Sequence, residues 1–361
     1  VDVMPLAIEL AAAWVNLLSC AEIAREIERG FDFLSSTLRD MPERHRSLRA
    51  VFDHSWKRLT KVEQSVLSRL TLFQGGFSLE AAESIVGAGR GVLSSLESKS
   101  LLRRSSSGRF DLHEVIRQYA KDYLKDEAAL RDRHSEYYLG LLSQSERELF
   151  GANEANLLGR LFDEFGNLSA AWAWALSHKQ FAQMDAALQS LWMLYDVHGW
   201  LVDGIEQTAG LIGVLRTGAD LQIYLGRALT FHGMLIFRAG DYIRARAAFE
   251  EGITLLRAAG ETKYLPPALI FNGIVASLMG DFSQARSLMD EGAKLAKMHG
   301  DHWFMALGQF DQGFVAGQEG NLEYAYERMQ AGLSIWRGLK NSRFIAFALN
   351  FLSPIAIQLG R

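Results

Sequence analysis

The residues Gly233–Phe249, GMLIFRAGDYIRARAAF, decide how most of this chain folds, because two close variants of them follow at a constant spacing. The variants are GIVASLMGDFSQARSLM at 273–289 and GFVAGQEGNLEYAYERM at 313–329, each 40 residues after the one before. In all three, a glycine comes first, a Gly-Asp or Gly-Asn pair stands in the middle, and an alanine lies five residues after the central glycine. A fixed period of this size predicts an array of helix pairs.

Each unit is expected to form a first helix, a turn at the Gly-Asp or Gly-Asn pair, and a second helix. The small residues at the Gly233 and Ala245 positions should allow two helices to approach closely, and the larger residue four positions after each alanine should fill the groove between neighbouring units. This pattern is tetratricopeptide-like, although that repeat has a period of about 34 residues. We expect the additional residues to lengthen the second helix and its exit loop, as at 258–262.

Stacked helix pairs form a concave surface that binds partners rather than a catalytic pocket. Counting from the first glycine of each unit gives the first-helix residues that should face this surface. The predicted partner-binding residues are Arg227, Thr230, Met234, Phe237, Arg238, Ile270, Ile274, Phe310, Phe314 and Gln318, with Ser277, Leu278 and Leu307 on the same faces. Many are apolar, which suits a protein, a peptide or a small-molecule inducer. Packing within the superhelix is the alternative for Phe310 and Phe314.

Composition points to a mainly helical protein with more than one domain. The chain has 361 residues, 49% of them hydrophobic, and five prolines. Its single cysteine, Cys20, excludes a disulfide framework and suits a reducing cytoplasm. The longest apolar run, at 3–20, contains Glu9 and Asn16; it is too short and too polar for a membrane span, and it lacks the basic flank of a signal peptide. We therefore expect a cytoplasmic protein with no membrane contact.

A compact unit with clear helix signals precedes the repeats, over residues 44–126. Thr60 and Glu63 match a capping box, and Ser78 is placed to cap a later helix. The predicted helices are 48–56, one after Thr60 that carries Val66, Leu67 and Leu70, 78–85, 92–99 and 115–124, with a hairpin tip at 105–108 and a return strand at 109–112. Helices followed by a small hairpin are typical of a winged helix-turn-helix domain.

This predicted winged helix is basic, whereas the whole chain is not. Residues 44–126 hold fifteen Lys and Arg against nine Asp and Glu, a balance of +6, while the chain carries −4. Such a surface permits contact with nucleic acid or an anionic nucleotide, docking on acidic neighbours, or simple solvation.

The fold class predicted is therefore mainly α: a winged helix-turn-helix with a small β-hairpin, followed by an α-α superhelix of tetratricopeptide-like repeats. The predicted domains are 1–43, 44–126, a region of degenerate helical repeats or linker at 127–224, and the repeats proper at 225–361.

Several segments resemble the STAND class of signal-transduction ATPases, in the order found in that class. MPLAIELAA at 4–12 resembles a segment of the helical ATPase subdomain, so 1–43 is expected to be its tail. Ser47–Ile85, with FQGGFSLEAA at 73–82, is similar to the class's NB-ARC-like winged helix, and LHEVIRQYA at 112–120 to the "MHD"-type stretch that closes it. NLSAAW at 167–172 resembles the entry to the repeats of AfsR-like and LuxR-type regulators.

The resemblance implies a nucleotide switch in which ATP or ADP lies between an upstream P-loop domain and the winged helix. It places Pro5 near the adenine and His113 near the β-phosphate of ADP. The sequence departs from the pattern at Val3, where glycine is usual, and in the triplet Leu-His-Glu at 112–114. No G-x-x-x-x-G-K-[ST] motif occurs in the chain, so we expect no ATP hydrolysis and no cofactor in this chain, with ADP or ATP bound in a full-length parent.

The leading hypothesis is a ligand- or partner-sensing fragment of a STAND-type switch, cut within its last repeat at Gly360-Arg361, that acts in signal transduction and transcription regulation. A constitutive interaction scaffold and a winged-helix DNA-binding activator are the alternatives, although the resemblance favours an internal role for the winged helix over direct DNA binding. No histidine or cysteine spacing predicts a metal site, and no nucleophile motif predicts covalent catalysis.

Overall fold

The computed structural model describes residues 12, 15, 19–29 and 48–361. Two compact units divide the chain: one reaches to Tyr138 and includes Asp163–Trp174, and the other comprises Leu139–Phe162 and Ala175–Arg361. The four-part division at 43, 126 and 224 remains a prediction. The mainly α fold class is confirmed, with a two-stranded hairpin as the sheet of the described residues.

The helices before residue 127 are short. They are α1 (Cys20–Arg29), α2 (Leu48–Lys57), α3 (Lys61–Arg69), α4 (Leu79–Ala81), α5 (Arg90–Ser98) and α6 (Glu114–Lys121). A 3-10 turn at Leu70–Leu72 extends α3, and a π-helical turn at Ala82–Val86 extends α4. Strands β1 (Arg103–Arg104) and β2 (Phe110–Asp111) pair antiparallel between α5 and α6. The return strand and α6 are both shorter than expected, since α6 ends before Tyr123 and Leu124.

The helices after residue 126 are longer and follow one another almost without loops. They are α7 (Glu127–Leu149), α8 (Glu154–Asp163), α9 (Phe165–Ser177), α10 (Phe181–His198), α11 (Leu201–Leu215), α12 (Gln222–Arg238), α13 (Tyr242–Ala258), α14 (Leu265–Leu278), α15 (Phe282–Met298), α16 (His302–Gln318), α17 (Leu322–Gly338) and α18 (Ser342–Gln358). A 3-10 turn at Ala219–Leu221 precedes α12.

The predicted capping box is present and also ties two helices together. Thr60 N donates to Glu63 Oε2 at 2.7 Å, and Glu63 N donates to Thr60 Oγ1 at 3.2 Å. The same carboxylate accepts from Ser95 Oγ at 2.6 Å and from Lys99 Nζ at 2.5 Å. Lys99, followed by Ser95, lowers the pKa of Glu63 to about 2. One buried carboxylate therefore begins α3 and attaches the end of α5 to it.

The Gly75-Gly76 turn holds the hairpin close to the core. Gly76 has a φ of +88°, and a Cβ there would lie 2.9 Å from the carbonyl oxygen of Phe110. Phe77 and Phe110 exchange backbone hydrogen bonds of 2.8 and 2.9 Å, and the Phe77 ring stacks on Phe73 at 4.5 Å. Only glycine at position 76 allows this approach.

Asn167, from the NLSAAW segment, fastens α9 to the same turn. The side chain is fully buried; its Oδ1 accepts from Gln74 N at 2.7 Å, and its Nδ2 donates to Gly76 O at 2.8 Å and to Glu164 Oε2 at 2.9 Å. Each polar atom of the amide therefore has a partner, which is the condition for burying it at low cost.

The array from α12 onward is built on a 20-residue step, half of the predicted period. Residues with a left-handed backbone conformation end its helices; they are Gly240, Gly260, Gly280, Gly300, Gly320, Lys340 and Gly360. An aspartate or asparagine after most of these residues caps the next helix; Asp241 Oδ1, for example, accepts from Arg244 N at 3.1 Å. The Gly-Asp marks thus encode a helix stop and a helix start in consecutive residues.

The close helix contact predicted at Gly233, Gly273 and Gly313 is confirmed. A Cβ at Gly313 would lie 2.7 Å from the carbonyl oxygen of Ala325 and 2.9 Å from the nitrogen of Met329. The larger residues Phe249, Met289 and Met329 lie directly against the glycine of their own unit. Two of them also reach the next unit, as predicted: Met289 packs with Val315, and the Phe249 ring lies 6.3 Å from that of Phe271. A second glycine series at Gly252, Gly292 and Gly332 makes another close approach to the first helix.

The predicted placement of the extra residues in the second helix and exit loop is wrong for most of the array. Helices α12, α13, α16 and α17 all have 17 residues, so the two helices are equally long in the first and third units. In the middle unit the second helix is longer, with 17 residues in α15 against 14 in α14. Only the connection between α13 and α14, at 259–264, is longer than the three-residue turns at 239–241 and 319–321.

Candidate ligand-binding groove in the repeat array

The first helices of successive units line one groove with a volume of about 350 Å³. Helices α12, α14, α16 and α18 contribute, and α10 adds Trp192 and Asp196. The other lining residues are Phe237, Arg238, Phe271, Ile274, Leu278, Trp303, Leu307, Phe310, Asp311, Phe314, Arg343, Phe344, Phe347 and Phe351. Since every first helix is offset by the same 40-residue step, equivalent positions meet on one face.

Aromatic rings form most of the groove wall. Phe310 lies 5.5 Å from Phe347, and Phe314 lies 5.8 Å from Phe351, measured between ring centroids. Phe347 and Phe351 are themselves 4.8 Å apart. Leu278, which lies inside the array, keeps 44% of its surface exposed. Apolar side chains open to solvent in a concave site are typical of a ligand-binding surface.

A small ionic cluster closes part of the groove. Arg238 Nε donates to Asp196 Oδ1 at 2.5 Å, and Arg343 Nη1 lies 3.6 Å from Asp196 Oδ2. Arg343 also pairs with Glu154. Both arginines of the groove are therefore paired with carboxylates other than that of Asp311.

Asp311 is the exception among the groove's charged residues. Only 8% of its surface is exposed, and its Oδ2 atom has no hydrogen-bond partner. Burial raises the pKa of Asp311 to about 8, and no neighbouring charge among the described residues opposes that shift. A carboxyl group placed in this way faces an aromatic groove without the partners that ordinarily accompany burial.

A second, more polar cavity of about 670 Å³ lies elsewhere in the array unit. Arg227 lines it, pairs with Asp185, and holds its guanidinium 3.6 Å from the Tyr264 ring centroid. Burial raises the pKa of Asp185 to about 6, although Arg227 acts against that shift. Glu146 and Lys263 also line this cavity. Its Arg227 guanidinium therefore has a carboxylate partner within the fold, whereas Asp311 has no ion pair with any described residue.

The structure distributes the predicted partner-binding residues over four environments. Phe237, Arg238, Ile274, Phe310 and Phe314 line the aromatic groove, together with Leu278 and Leu307. Arg227 and Thr230 line the polar cavity. Met234 and Ile270 are fully buried and Ser277 nearly so, while Gln318 is exposed and lines neither of these two cavities.

The two residues expected at the nucleotide are only partly described. Pro5 lies outside the described residues. His113 is buried at the start of α6, where its carbonyl oxygen accepts from Arg117 N at 2.8 Å. Arg117 in turn reaches the carbonyl oxygens of Thr71 and Leu112, both at 3.3 Å. The segment around His113 is thus anchored to the core of its unit.

Sequence reasoning missed Asp311 and most of the aromatic residues of α18. Asp311 directly follows Phe310 in the sequence, and counting positions along the helix predicts that an acid there is exposed to solvent. The signal available in the sequence was an acidic residue next to Phe310 and one helical turn before Phe314, two predicted binding residues of that helix. The aromatic residues of α18 were missed because Lys340 stands where the earlier unit boundaries have Gly260 and Gly300, so the sequence does not mark the start of the next unit.

Within the described part of the chain, no group of three or more His, Cys, Asp or Glu residues is placed to hold a metal ion. In the same residues, no helix has the length and apolar character needed to cross a bilayer.

Comparisons with known proteins connect the chain to regulators. It is 34% identical over 206 residues to a proposed HTH-type transcriptional regulator of Mycobacterium tuberculosis, and equally to one of Mycobacterium bovis. The match covers 53% of this chain and 23% of each relative, so the chain spans less than a quarter of their length. No protein-family model matches.

Two solved structures are also similar. One is a STAND protein with a tetratricopeptide repeat sensor from Pyrococcus horikoshii, at 16% identity and a TM-score of 0.37, over 97% of this chain and 62% of that one. The other is a Rap protein complexed with competence and sporulation factor, at 14% identity and a TM-score of 0.38, over 98% of both chains. Both TM-scores are too low to assign a function to this chain.

Proposed function

We propose that this chain is the ligand-sensing part of a STAND-type signal-transduction switch that regulates transcription. The order of its segments and its 34% identity to a proposed HTH-type regulator support the regulatory role. The observation that carries the sensing role is the aromatic groove, whose wall is made by the first helices of successive repeats.

The groove suits a ligand better than simple core packing does. A packed core would exclude water from Leu278, yet this side chain inside the array remains 44% exposed beside a cavity of about 350 Å³. Cavities from about 300 Å³ upward, with apolar walls and a few polar groups, commonly hold small molecules. Because residues of several repeats contribute, an occupant would bridge them and change their relative stability.

In the proposed mechanism, the chain senses and does not hydrolyse. It contains no P-loop motif, so ADP or ATP would be held by an upstream domain of a longer parent, with His113 as a contact to the phosphates. Ligand binding to the array would favour a state in which that contact is released. Such a switch requires the ligand to bind the released state more tightly than the resting state.

The groove is tested with a neutral apolar probe, 4-phenylbutan-1-ol. Trp192 and Trp303 line the groove, so binding should change the intrinsic tryptophan fluorescence of the chain. Leu278→Arg places a charged side chain in the groove at an exposed site and should weaken binding at least tenfold. Met298→Arg is the matched control, because Met298 is also an exposed apolar residue at the end of a helix but lies outside the groove.

Unchanged binding in Leu278→Arg, or no binding by the unmodified chain, would remove the groove from the proposal.

The nucleotide step is tested separately in the parent protein with its P-loop domain. His113→Ala should release ADP faster, whereas His54→Ala, at an exposed position of the same unit, should not. Equal ADP retention in the two variants would exclude His113 from the mechanism.

Direct DNA binding is a second candidate, favoured by the basic balance of 44–126 and by the HTH-type name of the relatives. A protein that binds DNA specifically would show a preference for one DNA sequence and a steep loss of affinity as the salt concentration rises. Weak, sequence-independent binding would leave the sensor role as the better account.

A further inference from the structure

The side chain of Asp311 indicates the charge of the ligand, which the apolar wall of the groove does not. On its own helix it is flanked by Phe310 and, one turn later, by Phe314, both of which line the groove. Its carboxyl group is nine-tenths buried and its Oδ2 has no partner. A buried polar atom without a partner is rare in folded proteins, and an ionised carboxylate without one is costly.

The charges that could neutralise Asp311 within the fold are already used. Arg238 on α12 and Arg343 on α18 both pair with Asp196 of α10. Arg328 on α17 donates instead to Gln312 Oε1, at 2.6 Å. Helix α14, which also lines the groove, has no charged residue.

Burial favours the protonated form of Asp311, so a partner that stabilises its ionised form would come from outside the fold. It needs a cationic group to pair with the carboxylate and an apolar part to cover the aromatic rings. A volume of about 350 Å³ fits a small molecule and leaves little room for the side chains of a folded partner. The neighbouring aromatic faces would attract the same cation.

We infer that the groove binds a small amphiphilic amine, whose ammonium group pairs with the carboxylate of Asp311 while its apolar part lies against Phe314 and Phe347. This inference rests on the groove being the ligand site of the proposed function. It adds the chemical class of the ligand: one positive charge on a compact aromatic or aliphatic body.

The test compares 4-phenylbutylamine with 4-phenylbutan-1-ol, which have the same apolar body and differ in charge. Titration calorimetry and tryptophan fluorescence of the full chain at pH 8 give both dissociation constants. The amine should bind at least tenfold more tightly than the alcohol. Asp311→Asn should reduce this preference to within about twofold while leaving the affinity for the alcohol nearly unchanged, because a neutral amide lacks the charge that the ammonium group requires.

Asp290→Asn is the matched control, since Asp290 is an exposed acid on α15 outside the groove, and it should keep the full preference. Light scattering is run in parallel to detect whether two copies of the chain associate. Equal binding of amine and alcohol to the unmodified chain, or a preference that survives in Asp311→Asn, overturns the inference but leaves the groove as a ligand site. If neither probe binds, or if a second copy of the chain covers the groove, both the inference and the proposed ligand site fail.

Discussion

The buried carboxyl group of Asp311 should make the stability of the array depend on pH in a way that one substitution removes. Burial raises the pKa of this group from 3.8 to about 8. The folded protein therefore holds a proton on Asp311 at a pH where the unfolded chain has lost it. Stability from this group is fully present below about pH 4 and is lost as the pH rises toward 8.

The size of the effect follows from the pKa difference. Each pH unit between the two pKa values changes the free energy of unfolding by about 1.36 kcal/mol. Between pH 5 and pH 7, Asp311 should therefore destabilise the array by roughly 2.7 kcal/mol. The side chain introduced by Asp311→Asn has nearly the same shape but no titrating proton, so the free energy of unfolding of this variant should not show the loss.

The measurement is urea-induced unfolding at pH 5 and pH 7, for the unmodified chain and for Asp311→Asn. Other groups also titrate in this range: Asp185, with a pKa raised to about 6, acts in the same direction, and His134 and His232, with pKa values lowered to about 4, act in the opposite one. Subtracting the variant's pH dependence removes these shared contributions. If both proteins lose the same free energy between the two pH values, the account of Asp311 as an isolated buried acid is wrong.

Three further predictions concern packing and buried polar groups. Gly313→Ala places a Cβ 2.7 Å from a backbone carbonyl oxygen of α17 and should cost about 2 kcal/mol or more in thermal or urea unfolding, whereas Gly338→Ala, with open space around it, should stabilise by up to about 1 kcal/mol. Asn167→Ala leaves several buried groups without partners and should cost about 3 kcal/mol in the same assay, against less than about 0.5 kcal/mol for the exposed Asn156→Ala. Burial lowers the pKa of His134 to about 4, so stability should fall as the pH drops from about 6.5 to 4, and His134→Gln should flatten that slope in unfolding curves.

Local signals predicted much of the helical framework. The capping box at Thr60 and the Gly-Asp pair at Gly240 act through neighbouring backbone groups, so their effect can be read from a few residues. The close approach at Gly313 could be predicted because the glycine and its facing alanine repeat together. The 20-residue step was hidden where Lys340 replaces a glycine and Glu261 replaces the expected aspartate.

The candidate site was predictable only in part, because the same helical count gave residues of different burial. Phe314 lies in the groove, whereas Ile270, chosen by the same rule, is fully buried. Helical periodicity gives the direction of a side chain about its own helix axis. It does not say whether another helix covers that side chain.

The sequence by itself determined that the chain is mainly helical, that its array repeats every 40 residues, and that first helices pack on second helices through glycine. These features depend on contacts between residues close in the chain or in the same repeat. Only the tertiary structure decided which apolar residues remain open and that Asp311 has an unpartnered oxygen in the groove. The reason is that the groove combines helices from α10 to α18, and the pairing of Asp196 with Arg238 and Arg343 depends on distances across that whole assembly.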